Sequence, residues 1–127
     1  MTFPHALKID TTALVGMKHL GSFISKLQLN SGAIPSNKDG SHDPWDHLEA
    51  VMGLATLGFN HEAMLGLQWM KDNQNEDGSW YNLYQDNEAI EKNKQSNFST
   101  YIAVAVWQNY LLTNDLSILE NFWSSIK

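Results

Sequence analysis

The stretch "SHDPWDHLEA" holds the densest set of titratable side chains in the chain: His42, Asp43, Asp46, His47 and Glu49. Carboxylates and imidazoles this close together could divide acid and base work, and on a helix Asp46 and Glu49, three residues apart, share a face. The same groups could hold a divalent cation. Asp43 followed by Pro44 fits a helix N-cap with proline at the first helical position, which puts the cluster at a helix N-terminus. Unpaired N–H groups and partial positive charge there suit an anionic group such as a diphosphate, or carboxylates with tuned acidity. The plain structural alternative is that Asp43 only caps, Asp46 only answers the helix dipole and Glu49 is only solvated. Charge at the mouth of a mostly apolar helix is costly unless it faces water or a ligand. Asp46, His47 and Glu49 are therefore the candidate catalytic residues, and Asp43, Trp45, Tyr84, Asp86 and Tyr101 the candidate substrate-binding residues. Trp45, Trp80, Tyr84, Tyr101 and Trp107 could line an aromatic cavity, which would suit cationic isoprenoid intermediates or sugar rings.

The elements that must position these residues read as helices. Apolar residues recur at three- and four-residue steps from Thr11 to Leu29, with Asp10, Thr11 and Thr12 as cap choices, and predict one amphipathic helix. "NSGAIPSNKDGSHDP" reads as a loop. A second helix capped by Asp43 runs to Gly58, and a third opens at Asn60 as its cap, so the two form an antiparallel hairpin. From Glu76 to Gln95 the chain reads as a long surface loop with a helical turn near Glu88 to Lys92. A fourth helix is apolar almost all round from Tyr101 through Leu112, and so is expected to be buried on most sides. A fifth is capped by Asp115. The helices starting at Asp43 and Asn97 would be inner ones whose N-termini point to one end.

Composition narrows the partners. The 127 residues form one domain, with 43% apolar residues and five Trp. A net charge of −6 without a basic run argues against nucleic acid and an anionic membrane surface. The absence of Cys removes thiolate zinc sites and thiol nucleophiles. No stretch is long and apolar enough for a membrane span, and "MTFPHALKID" lacks a signal peptide's regions, so a cytoplasmic protein is expected.

Laying "FISKLQLNSGAIP" over "WMKDNQNEDGSWY" at one offset pairs Phe23 with Trp69, Gln28 with Gln74, Gly32 with Gly78, and Ile34 with Trp80. The repeating unit is a helical hairpin of about fifty residues. A Gln amide carries donors and an acceptor, so Gln74, Gly78 and Trp80 read as a structural brace at a helix end, with Phe23 and Trp69 as core. These residues resemble the QW-type repeat of the terpenoid cyclase and protein prenyltransferase superfamily. "DPWDHLEAVMGL", "LQWMKDNQNEDGSWY" and "NFSTYIAVAVW" together resemble bacterial prenyltransferase-like proteins.

The resemblance implies an all-α fold of helical hairpins in an α/α toroid of six-hairpin type. Five helices make only part of such a ring, and the last one ends at Lys127 without Gly, Asn or Pro. A truncated product or the N-terminal piece of a longer toroid is therefore expected, with self-association of the isolated chain. The resemblance further implies a transferase that binds or transfers an isoprenoid diphosphate at the inner-helix N-termini. The protonating cyclases' D-x-D-D run is absent, and the prenyltransferase zinc site cannot be carried over without Cys. Two other readings stand beside it. One is a carbohydrate-active, glycosidase-like toroid with Asp46 or Glu49 paired with Asp86 as acid and base, since hairpin toroids occur there too. The other is a non-catalytic helical-repeat scaffold.

Overall fold

The computed structural model describes residues 11–127 and is mostly helical, so the expected all-α class holds with one addition, a small sheet. The single helix expected from Thr11 to Leu29 is two, α1 (Thr11–Val15) and α2 (Lys18–Leu27). Gly16 is a poor helix former, and the Met17 amide turns back to Leu14 O at 3.0 Å, a tighter bond than the α-helix makes. Asp10, the first cap choice, lies outside the described residues.

Helix α3 (Pro44–Thr56) starts as its sequence dictates: the Asp43 carboxylate accepts from the Asp46 amide and Pro44 occupies the first turn. It ends in a Schellman arrangement, Phe59 N donating to Leu54 O and Gly58 N to Ala55 O, with Gly58 at φ +85°. Helix α4 (Asn60–Asp72) follows at once. Asn60 is its first helical residue and not its cap; Phe59 holds the cap position without a side-chain bond.

The segment expected to be a loop with a helical turn instead forms strands β2 (Leu83–Gln85) and β3 (Glu88–Glu91), joined at Asp86 and Asn87, and β2 pairs antiparallel with β1 (Ser41–His42). A strand gains its hydrogen bonds from a partner, and β1 lies far back in the chain, out of view of a local reading. Helix α5 (Ser96–Thr113) ends at Asn114, which takes the left-handed conformation at φ 55°, and α6 (Leu116–Ile126) is capped by Asp115 through Ser117 N.

Two layers result. In the inner layer α3 and α5 run parallel: Trp45 meets Tyr101 near their N-termini, and seven and more residues further on Gln108 Nε2 reaches Met52 O and Thr56 Oγ1. In the outer layer α2, α4 and α6 are linked by the repeat. Gln28 Nε2 donates to Gly32 O (3.0 Å) and Glu62 O (2.9 Å), and Gln74 Nε2 donates to Gly78 O (3.0 Å) and Ser125 O (3.2 Å). Each amide closes its own turn and ties it to the next outer helix. Trp80 is wholly buried and gives its indole N–H to Met70 O.

A second repeat, at a different offset, joins the first. "NKDGS" and "NEDGS" make the same turn: Asn37 N and Asn75 N bond Ser41 O and Ser79 O, while Asp39 and Asp77 each accept the amide and hydroxyl of the Ser two residues on. The residue after each Ser, His42 or Trp80, is delivered into the core.

The core lies between the layers and is built on Leu48, Val51, Leu54, Trp69, Ile102, Val106 and Phe122. Two expectations fail at its margins. Phe23 is 63% exposed while its repeat partner Trp69 is buried, because Trp69 lies under the sheet and donates to Asn87 Oδ1. Helix α5 leaves Val104 and Trp107 on an open face, 50% and 44% exposed. Among the described residues, no helix is long and apolar enough to cross a membrane.

Candidate functional site

The first turns of α3 and α5 open at the same end of the inner layer, beside the sheet, and there the structure gathers Asp43, Trp45, Asp46, Glu49 and Tyr101. Asp43 Oδ1 accepts the Asp46 amide at 2.9 Å. The Asp46 carboxyl is exposed by area, yet the helix mouth strips part of its water. That partial burial, followed by the charge of Asp43, raises its pKa, with a Ser36 hydrogen bond acting the other way. The group is therefore biased toward the form that can donate a proton.

Glu49 faces the same mouth. Its Oε1 accepts the Trp45 indole N–H at 2.8 Å and the Tyr101 hydroxyl at 3.4 Å. The two rings lie flat on each other, centroids 3.9 Å apart and 6° from parallel. Burial, and next the carboxylate of Glu49, push the Tyr101 hydroxyl pKa up, so it stays a donor.

The other expected site residues lie elsewhere. His47 is fully buried on the reverse side of α3, where Nδ1 accepts the Ile34 amide (3.2 Å) and Nε2 sits 2.9 Å from Gly66 O. With an N–H as the only partner of Nδ1, the proton belongs on Nε2, and neither nitrogen remains for a reacting group. Burial brings its pKa down to about 3. Tyr84 is also buried, packed edge-on against Trp69 with centroids 5.0 Å apart, and its hydroxyl accepts the Tyr81 amide. Asp86 sits at the tip of the β2–β3 hairpin at φ 50° and accepts from the Ser31 hydroxyl, so its hydrogen bond goes to the α2–α3 loop and not to the Asp46 and Glu49 face. Of the five aromatic residues expected to share a cavity, only Trp45 and Tyr101 meet. Trp80 and Tyr84 are core, and Trp107 packs on Tyr110.

His42, part of the titratable cluster, is wholly buried between His47, Trp69 and Tyr84, and neither ring nitrogen has a protein partner among the described residues. Burial lowers its pKa to about 4, against the pull of Asp86. Ser36, which touches the Asp46 carboxyl, escaped the sequence reading because a loop serine carries no periodic signal. Among the described residues no three His, Asp or Glu side chains are arranged to hold a metal ion. An apolar cavity of about 340 Å³ lies at the opposite end of α3, against Leu14, Met17, Leu20, Met52 and Gln108.

No family model matches the chain. It is 36% identical, over 100 residues, to an MMP endo-(1,4)-3-O-methyl-alpha-D-mannosidase of Mycolicibacterium hassiacum (strain DSM 44199 / CIP 105218 / JCM 12690 / 3849), an alignment covering 79% of this chain and 28% of that protein. The chain thus spans under a third of the length of the curated relative it matches. This likeness overturns the terpenoid cyclase and prenyltransferase resemblance, and with it the isoprenoid substrate and the transferase activity. The Gln-Gly-Trp device that suggested them is a fastening between helices, and a fastening can serve unrelated chemistries.

Proposed function

We propose that the protein is carbohydrate-active and glycosidase-like, acting on an α-(1,4)-linked mannoside with Asp46 as the proton donor. The observation that carries this reading is the likeness to the mannosidase, which runs through most of the chain. The site supports it: glycoside cleavage needs a carboxylic acid that keeps its proton until the glycosidic oxygen takes it, and Asp46 is the carboxyl here whose surroundings favour that state. Asp43 serves twice, fixing the backbone of Asp46 through the cap and placing a negative charge beside its carboxyl. The helix N-terminus works in the opposite sense by stabilising the carboxylate left after transfer.

The test is hydrolysis of an α-(1,4)-linked 3-O-methylmannose oligosaccharide followed by mass spectrometry. The unaltered protein is expected to shorten the chain, and Asp46→Asn to lower kcat by about a hundredfold or more while the fold is kept. Failure of the unaltered protein to cleave any α-(1,4)-mannoside overturns the reading.

A further inference from the structure

Trp45 and Tyr101 have no part in the proton transfer, yet they form a flat stacked pair on the open face. The rings are nearly parallel, in contact, and only partly buried. Their polar atoms both turn to one oxygen, Glu49 Oε1. What the pair offers to its surroundings is therefore aromatic surface, fixed in place before any ligand arrives. Rigid aromatic side chains lose little conformational entropy on binding, and a preorganised surface binds more tightly than one that must be ordered. Both hydrogen bonds use Oε1, which leaves Glu49 Oε2 for a hydroxyl beside the aromatic face. Asp46 follows Trp45 in the chain and lies one turn before Glu49, so the platform adjoins the proposed acid.

We propose that Trp45, backed by Tyr101, is the platform for one pyranose ring of the substrate, with the ring's C–H face on the indole and one of its hydroxyls donating to Glu49 Oε2. This assignment rests on the glycosidase-like reading above. It also sets the class of sugar. The carboxyl groups of Asp43 and Glu49 lie beside the platform, so a neutral hexopyranose is accepted and a uronic acid is repelled. An O-methyl ether on the stacked ring adds apolar contact with the indole.

The experiment uses the Asp46→Asn protein, which should bind without turnover, and a 3-O-methylated α-(1,4)-mannotetraoside as the probe, with affinity read by calorimetry. Trp45→Ala in that background should weaken binding by about tenfold or more, and Glu49→Gln by about threefold or more. A tetrasaccharide of uronic acids should not bind. Should Trp45→Ala fail to fold, Trp45→Phe keeps a stacked but smaller face and should weaken binding by about threefold. If Asp46→Asn binds the tetraoside and the Trp45 variants bind it equally well, the pair is only a brace between α3 and α5 and the platform is wrong, while the glycosidase reading stands. If neither Asp46→Asn nor the unaltered protein binds any mannoside, the glycosidase reading falls, and the platform with it.

Discussion

Gln74 and Ser125, 51 residues apart in the chain, are joined by a hydrogen bond from the glutamine amide to the serine carbonyl. The same nitrogen donates to Gly78 O, so one side chain closes the turn after α4 and holds that turn to the last turn of α6. Gln74→Ala leaves two part-buried carbonyls without their donor and should cost about 1–3 kcal/mol in urea unfolding. Gln74→Glu, which offers only acceptors when ionised, should cost at least as much at neutral pH. A loss within a few tenths of a kcal/mol would show that the brace carries no stability.

At Gly66 α4 packs directly on α3. A Cβ built there would lie 2.3 Å from Val51 Cγ2, and the Gly66 carbonyl is the partner of His47 Nε2. Gly66→Ala should therefore destabilise by about 1–3 kcal/mol despite alanine's better helix propensity. Combining it with Val51→Ala tests the cause: if the clash is the reason, the double variant loses less than the sum of the two single variants. Strict additivity would place the cost elsewhere.

Two buried imidazoles make the fold sensitive to mild acid. In the unfolded chain His42 and His47 titrate near the ordinary value of 6.5, whereas burial holds them neutral in the fold down to about 4 and about 3. The depressed pKa values mean that the stability is fully present above pH 6.5 and is lost as pH falls from there toward 4 and below, because the unfolded state binds the protons first. For His42 alone the loss is on the order of 3 kcal/mol. The part of this window above about pH 5.5 lies beyond the range where ordinary carboxylates titrate, and there the loss reports on the histidines. His42→Phe removes one of them, and should roughly halve the slope of stability between about pH 6.5 and about pH 4.5, with His47 supplying the rest. An unchanged slope in that variant would rule His42 out as a source.

The parts of this architecture that were legible in the sequence are those fixed by local chemistry. Asp43 ahead of Pro44, Gly58 past the end of α3 and Asp115 before α6 work through bonds to amides and carbonyls a few residues away, and each stands where its type predicts. The Gln28 and Gln74 braces were legible as a repeat, but their second acceptors, Glu62 O and Ser125 O, belong to helices that only the packed fold brings near. The candidate site divides in the same way. Asp43, Asp46 and Glu49 share a mouth because they share a helix. His47 points away because two remote backbone groups, Ile34 N and Gly66 O, satisfy both of its nitrogens, and no periodicity reports such partners. The sheet was missed for a related reason: Tyr84 pairs with His42 across a long separation, and the polar residues around it look like a loop until that partner is present.

Asp43 and Asp46 make the most direct test of the proposed chemistry, because Asn can replace Asp as a helix cap while removing its charge. Asp46 is held above the ordinary carboxyl pKa first by partial burial and second by the charge of Asp43. Asp43→Asn takes away the second cause and keeps the first, so the pKa of Asp46 should fall. A proton donor must be protonated to act, which places its ionisation on the alkaline limb of the rate profile. In Asp43→Asn that limb of kcat/KM should therefore move to lower pH, with α3 intact by circular dichroism. A limb that stays in place would mean that another group donates the proton.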